Sequence, residues 1–179
     1  MKFNLLDKVE TLDEARIVAV KTVTLAEEYL ADHFPTFPVL PGVLMLEAAT
    51  QAAGWLLHHR RGFGCSMAVL KDARNLKYGN FVAPGNILRV TAEWAKDTEA
   101  GAGFKVSGEV FGPLDAAAGA APRVAFAGRL ELAYFNLGER EKELAKVDER
   151  LIAHTRRRWD LIRPAARGVA GAAGVELAK

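Results

Sequence analysis

The hydrophobic pattern of this chain centres on one stretch. Val43, Leu44, Met45, Leu46, Ala48, Ala49, Ala52, Ala53, Trp55, Leu56 and Leu57 fall on every side of a helical wheel. A helix with no polar face has to be surrounded by protein or lipid. Gly42 to Leu57 would extend about 24 Å, short for a membrane span, and Glu47 and Gln51 sit near its middle. The pattern predicts the buried central helix of a soluble domain. A stiff loop with Pro35, Pro38 and Pro41 leads into it, and Gly42 marks its start.

On either side the pattern changes period. Leu5, Leu6 and Val9 share one side of a short helix over residues 4–9, and β-branched residues over Arg16–Val23 predict the first strand. Thr24-Leu25-Ala26-Glu27 has the spacing of a capping box and opens a short helix that delivers Asp32 and His33. After the central helix, His58-His59-Arg60-Arg61-Gly62 reads as a basic C-terminus with a glycine stop. Ser66–Tyr78 predicts a long strand and Pro84-Gly85-Asn86 a turn. From Ile87 to Trp94 the alternation is clean, with Leu88, Val90, Ala92 and Trp94 on one face and Arg89, Thr91 and Glu93 on the other. Phe104–Phe111 and Arg123–Phe135 continue the antiparallel pattern, joined by a small-residue hairpin loop, 112–122, expected to be mobile.

Residues 139–162 are charge-rich, with Leu144, Val147, Leu151 and Ile152 at helical spacing. They predict an amphipathic helix whose stripe is buried against the outer sheet or another protomer. Arg156-Arg157-Arg158 near its end suits the helix dipole and reads as a solvated basic end. The Ala/Gly-rich tail from Ala165 is expected to be poorly ordered. The chain thus divides into a core domain, 1–136, and a C-terminal helical extension with its tail, 137–179, in an α+β class.

Composition narrows the chemistry. A chain of 179 residues, half of them hydrophobic, is ample for one core. A formal net charge of +2 gives no licence for nucleic-acid binding. The single cysteine, Cys65, excludes an internal disulfide and fits a reducing cytoplasm. Lys2, Asp7, Lys8 and Glu10 at the start argue against a signal peptide. Adjacent His58 and His59 cannot face the same way on a helix, and neither a zinc motif nor a glycine-rich phosphate loop is present, so neither metal nor organic cofactor is expected.

Glu47 is the anomaly in the apolar helix. Thr50 and Gln51, three and four positions on, lie on its side and can orient it. His33 sits just before the rigid loop, and a histidine poised near neutrality with a buried carboxyl forms a base and acid pair. The Gly42 N–H at the positive end of the helix dipole suits a developing oxyanion. Each feature alone is commoner as structure than as catalysis; their combination shifts the balance.

That combination, His33-Phe34-Pro35-x-x-Pro38-x-x-Pro41-Gly42-Val43-Leu44-x-x-Glu47-Ala48-x-x-Gln51, resembles the signature of the 3-hydroxyacyl-[acyl-carrier-protein] dehydratases of type II fatty acid synthesis, the FabZ type. The likeness runs from Leu5-Leu6-Asp7-Lys8-Val9 through Asn75–Asn86 and covers most of residues 4–135. It implies a hotdog fold, a long helix wrapped by an antiparallel sheet. It also implies homodimers, or trimers of such dimers, in which the histidine and glutamate of each site come from different protomers. His33 and Glu47 are then the catalytic pair, with Gly42, Val43, Phe34 and Gln51 binding substrate. The partner is acyl carrier protein, for which Arg60, Arg61, Lys71, Arg74 and Lys77 are candidates to form a basic mouth. Asp32, Thr36, Phe81 and Asn86 depart from the family pattern, and Asp32 places an anion beside His33. Two other readings stay open: a hotdog thioesterase, and a non-catalytic acyl-binding or scaffolding relative.

Overall fold

The computed structural model describes residues 3–112 and 119–164. Its axis is α1, Gly42–Arg60. Met45, Ala48, Ala49, Ala52, Ala53, Leu56 and Leu57 are all buried along it, and the four alanines let the sheet approach its backbone closely. Around α1 curls a six-stranded antiparallel sheet. Its strands are β1 (Lys8–Leu12), β2 (Arg16–Thr22), β3 (Met67–Tyr78), β4 (Ile87–Thr98), β5 (Gly101–Phe111) and β6 (Arg123–Phe135), in the spatial order β1-β2-β4-β5-β6-β3. The alternation over 87–94 is realised: Leu88, Val90 and Ala92 are fully buried, and Trp94 packs edge-on against Phe104, 5.3 Å between centroids.

The long edge strand β3 carries a bulge that matters for the site. Arg74 pairs with Arg129 but Lys77 with Ala127, so β3 has one residue more than β6 there. Asn75 absorbs it at φ 54°, a left-handed conformation that Asn tolerates better than most residues. One extra residue switches the face on which later side chains lie. Tyr78 therefore comes to sit opposite Phe126, which is fully buried on the inner side.

Several expectations need correction. Residues 4–9 are not helical. Val9 belongs to β1, opposite Ala19, and the Leu5 N–H donates to Gln51 Oε1 at 3.0 Å; the buried pair Leu5 and Leu6 enters the core from an extended chain. Arg16–Thr22 is accordingly the second strand. The helix before His33 is a four-residue 3-10 turn, Glu28–Ala31. Half of the expected box forms, since the Thr24 N–H donates to Glu27 Oε1 at 3.2 Å. In the loop 112–122, residues 113–118 lie outside the described residues, as does the tail from Ala165.

The extension differs most. Two 3-10 turns, Leu137–Glu139 and Lys142–Leu144, precede α2, Ala145–Ile162. The apolar stripe is only partly covered, with Leu144, Leu151 and Ile152 half-buried. Val147 is 38% exposed, whereas Asp148 and Trp159 are buried. The Asp148 carboxylate accepts the N–H groups of Leu137 at 2.9 Å and Gly138 at 2.8 Å, and the Ser66 hydroxyl. Trp159 packs on Trp55, 5.5 Å between centroids, and on His59 and Phe63. The helix thus docks on the C-terminal end of α1 and also touches the edge strand β1. The basic run follows it: Arg156 donates to the Gly62 carbonyl at 3.2 Å and Arg158 lies half-buried beside the Trp55 ring, so two of the three arginines are not simply solvated.

Candidate active site

His33 is delivered by a polar scaffold. Lys21, only 5% exposed, pairs with Glu27 at 2.9 Å, and the Tyr29 hydroxyl donates to the same carboxylate. Burial pushes the Glu27 carboxyl up, but hydrogen bonds from Tyr29, Lys21 and Thr24 outweigh it and hold the group below the usual carboxylate range. Burial and the bond to Glu27 push the Tyr29 hydroxyl up. This network fixes the 3-10 turn, and the His33 N–H donates to the Tyr29 carbonyl at 3.2 Å. On the other side the Val39 N–H donates to the His33 carbonyl at 3.0 Å.

The imidazole is oriented with equal definition. Its Nδ1 lies 2.9 Å from the Val39 carbonyl, and a carbonyl can only accept, so the neutral ring carries its proton on Nδ1. Nε2 is left with a free lone pair, the arrangement a general base needs. Asp32 is exposed and forms no ion pair with His33 among the described residues, so its carboxylate does not engage the ring.

A cavity of about 370 Å³ opens at His33, lined also by Phe34, Gly42, Met45, Tyr78 and Phe81. Gly42 opens α1, and its N–H is among the helix donors with no intrahelical partner. A side chain there would meet the Tyr78 ring at 3.1 Å, and the Tyr78 hydroxyl donates to the Gly42 carbonyl at 2.9 Å. Glycine at this position therefore allows the close approach that the β3 bulge arranges. Tyr78 and Met45 carry no polar or periodic anomaly that marks them in the sequence as cavity residues; only the bulge and the start of α1 bring them here.

Glu47 is elsewhere. Met45 and Glu47, two positions apart, project about 200° apart around the helix. Glu47 lines a second cavity of about 270 Å³ with Phe3, Gln51, Trp55, His58 and Arg158. Gln51 Nε2 donates to Glu47 Oε1 at 2.9 Å and to the Phe3 carbonyl at 3.3 Å, which fixes the carboxyl, whereas the Thr50 hydroxyl donates to the Leu46 carbonyl at 3.0 Å instead. No residue lines both cavities. One chain thus brings His33, Phe34 and Gly42 together and Glu47 with Gln51, but not the two groups to each other. Val43 lines neither cavity and is 70% exposed.

Four of the five residues expected at a basic mouth have partners of their own. Arg61 pairs with Asp97, Lys71 with Glu131 and Arg74 with Asp72, and Arg60 lies over the Trp94 ring. Arg60 and Arg61 also sit at the far end of α1, about 27 Å from Gly42.

A family model described as a FabA-like domain matches residues 1–111. The chain belongs to this FabA-like family. Among curated FabA-like relatives, the 3-hydroxyacyl-[acyl-carrier-protein] dehydratase FabZ of Protochlamydia amoebophila is 41% identical over 93 residues, 51% of this chain and 60% of that protein. The FabZ of Streptococcus mutans is 35% identical over 112 residues, 63% of this chain and 80% of that protein. The fold recurs in the dehydratase heterocomplex ApeI:P of Xenorhabdus doucetiae, with a TM-score of 0.51 at 20% identity over 74% of this chain and 99% of that one. It recurs again in smu.793 of Streptococcus mutans bound to acetyl CoA, with a TM-score of 0.52 at 12% identity over 75% and 91% of the two chains. The match to the family ends before β6 and α2. Among the described residues no group of His, Cys, Asp and Glu side chains is arranged to hold a metal ion, and no helix is long and apolar enough to cross a membrane.

Proposed function

We propose that this FabA-like protein removes water from a (3R)-hydroxyacyl thioester on acyl carrier protein to give the trans-2-enoyl thioester, in the cytoplasm. The observation that carries this reading is the oriented His33, whose Nδ1 is held by the Val39 carbonyl and which lines one cavity together with Gly42. His33 takes the proton from C2, and the Gly42 N–H holds the thioester oxygen as charge develops there. Hydroxide is a poor leaving group, so Glu47, held by Gln51, donates a proton to the departing oxygen.

The two groups open on different cavities of one chain, so a complete site needs a second copy. Phe34, Phe37, Val43, Tyr78 and Phe81 are each at least half exposed, and β3 is the sheet edge beside them. Such apolar surface at an open edge is the mark of an interface. In the homodimer each site takes His33 from one protomer and Glu47 from the other, and FabZ relatives at 35–41% identity support the acyl-carrier-protein substrate.

Purified protein incubated with a crotonyl thioester should hydrate it, the reverse of the proposed reaction. Release of free thiol instead would mark a thioesterase, and silence a binding protein. His33→Ala and Glu47→Gln should each lower turnover by about 10²–10⁴-fold while leaving the melting temperature in place. Mixing the two inactive variants under subunit exchange should restore activity at hybrid sites. Exchange without recovery would mean that each protomer holds a complete site.

A further inference from the structure

The Glu47 cavity has a wall that the family match does not supply. From Glu47 it runs along α1 past Thr50 and Gly54 to Trp55, about 12 Å for eight helical rises, and there Thr155 and Arg158 of α2 line it. Arg158 is half-buried, and burial lowers its pKa. Its guanidinium carbon is 5.9 Å from the Trp55 ring centroid, and α2 is anchored at the next residue by Trp159 on Trp55. Arg16, Arg61, Arg74, Arg89 and Arg163 each pair with a carboxylate, whereas Arg158 has none within reach among the described residues.

An aliphatic chain end in this cavity would face an unpaired, partly desolvated cation, which is unfavourable. A carboxylate would pair with it through two parallel N–H···O bonds. No carboxylate is among the residues that line this end, Trp55, His58, Thr155 and Arg158. His59 packs against Trp159, and His58, among Trp55, Phe63 and Tyr134, is neutral above about pH 4. Glu47, the carboxyl of the cavity, lies at its opposite end and is held by Gln51.

We infer that the C-terminal extension completes a subsite for the far end of the acyl chain, and that Arg158 selects a chain ending in a carboxylate. The identity of the thioester end rests on the dehydratase reading. The test compares 3-hydroxyoctanedioyl and 3-hydroxyoctanoyl pantetheine thioesters, equal in length and different only at the far end. The ratio of their kcat/KM values, taken within one preparation, is independent of the active fraction. The wild type should favour the diacid by about tenfold or more, the worth of one charge-assisted contact. Arg158→Gln should bring the ratio to one or below, and Arg158→Lys should keep part of the preference. A wild-type ratio at or below one, or the same ratio in Arg158→Gln, overturns the subsite and leaves the dehydratase reading standing. If neither thioester turns over, calorimetry with octanedioyl and octanoyl pantetheine decides: binding of the diacid that depends on Arg158 upholds the subsite while the dehydratase reading fails, and equal binding of both overturns it.

Discussion

His33 and His58 stand at opposite ends of α1 and show how environment, rather than residue type, decides what an imidazole can do. His33 gives its Nδ1 proton to the Val39 carbonyl, which leaves the Nε2 lone pair unused, and the residue lines a cavity. Its position is set by a partly buried polar network, Lys21, Glu27 and Tyr29. His58 is 8% exposed in an aromatic cluster of Trp55, Phe63 and Tyr134. The Tyr134 hydroxyl accepts the Cys65 N–H at 3.1 Å and is hydrogen-bonded to His58 Nδ1 at 3.3 Å. One end of the helix is built to keep a lone pair available, and the other to keep a ring neutral and packed.

The comparison breaks most sharply at Lys21. Lys21→Met leaves the half-buried Glu27 carboxylate without its cation; removal of one partner from a fully buried pair costs about 3 kcal/mol, and the partial exposure of Glu27 brings this to about 1–2 kcal/mol. We expect a corresponding fall in stability by urea unfolding, together with a loss of kcat, because the 3-10 turn that carries His33 loosens. The double variant Lys21→Met/Glu27→Gln should recover part of the stability, since it removes the orphaned charge. Equal stability of the single and double variants would show that the pair does not organise this end.

At the other end the corresponding variant is Trp159→Ala. Truncating a buried tryptophan costs about 3 kcal/mol or more in a closed core, and somewhat less here at the margin of the protein. The melting temperature should fall, while the Lys21 network and the His33 turn, which share no contact with Trp159, stay intact. An unchanged melting temperature would mean that α2 rests on its Asp148 contacts alone.

What could be read in the sequence followed from how far each signal reached along the chain. The all-round apolar run made α1 plain, and strict alternation did the same for β4. Three apolar residues at 5, 6 and 9 fit a helix and an extended chain equally well, and the pairing of Val9 with Ala19 decided between them. The helical nature of α2 was legible from its spacing, but its anchors were not. Asp148 is buried because turn amides from residues 137 and 138 converge on it, and a single Trp159 has no period. His33, Gly42 and Glu47 stood out by type and spacing. That His33 and Glu47 open on separate cavities follows from the 200° or so between Met45 and Glu47 around the helix, which becomes meaningful only once the sheet has covered one side.

The remaining expected effect is a pH dependence that belongs to His58. Burial brings its pKa down to about 4 from the ordinary 6.5, so the folded state holds the ring neutral where the unfolded chain would protonate it. A folded pKa below the unfolded one means that the stabilisation is fully present above pH 6.5. It is lost as the pH falls from 6.5 towards 4. At pH 5 the loss amounts to about 2 kcal/mol. Glu27 also has a lowered pKa, but its contribution is present above its ordinary value of 4.5 and lost only below that, so the two windows are separate. Melting temperatures at pH 7.5 and pH 5 should therefore diverge in the wild type and converge in His58→Phe, which keeps an aromatic ring in the cluster and removes the titration. If His58→Phe and the wild type lost the same stability between these two pH values, the closed end of the helix would not be the acid-labile one, and the contrast between the two histidines would be confined to chemistry.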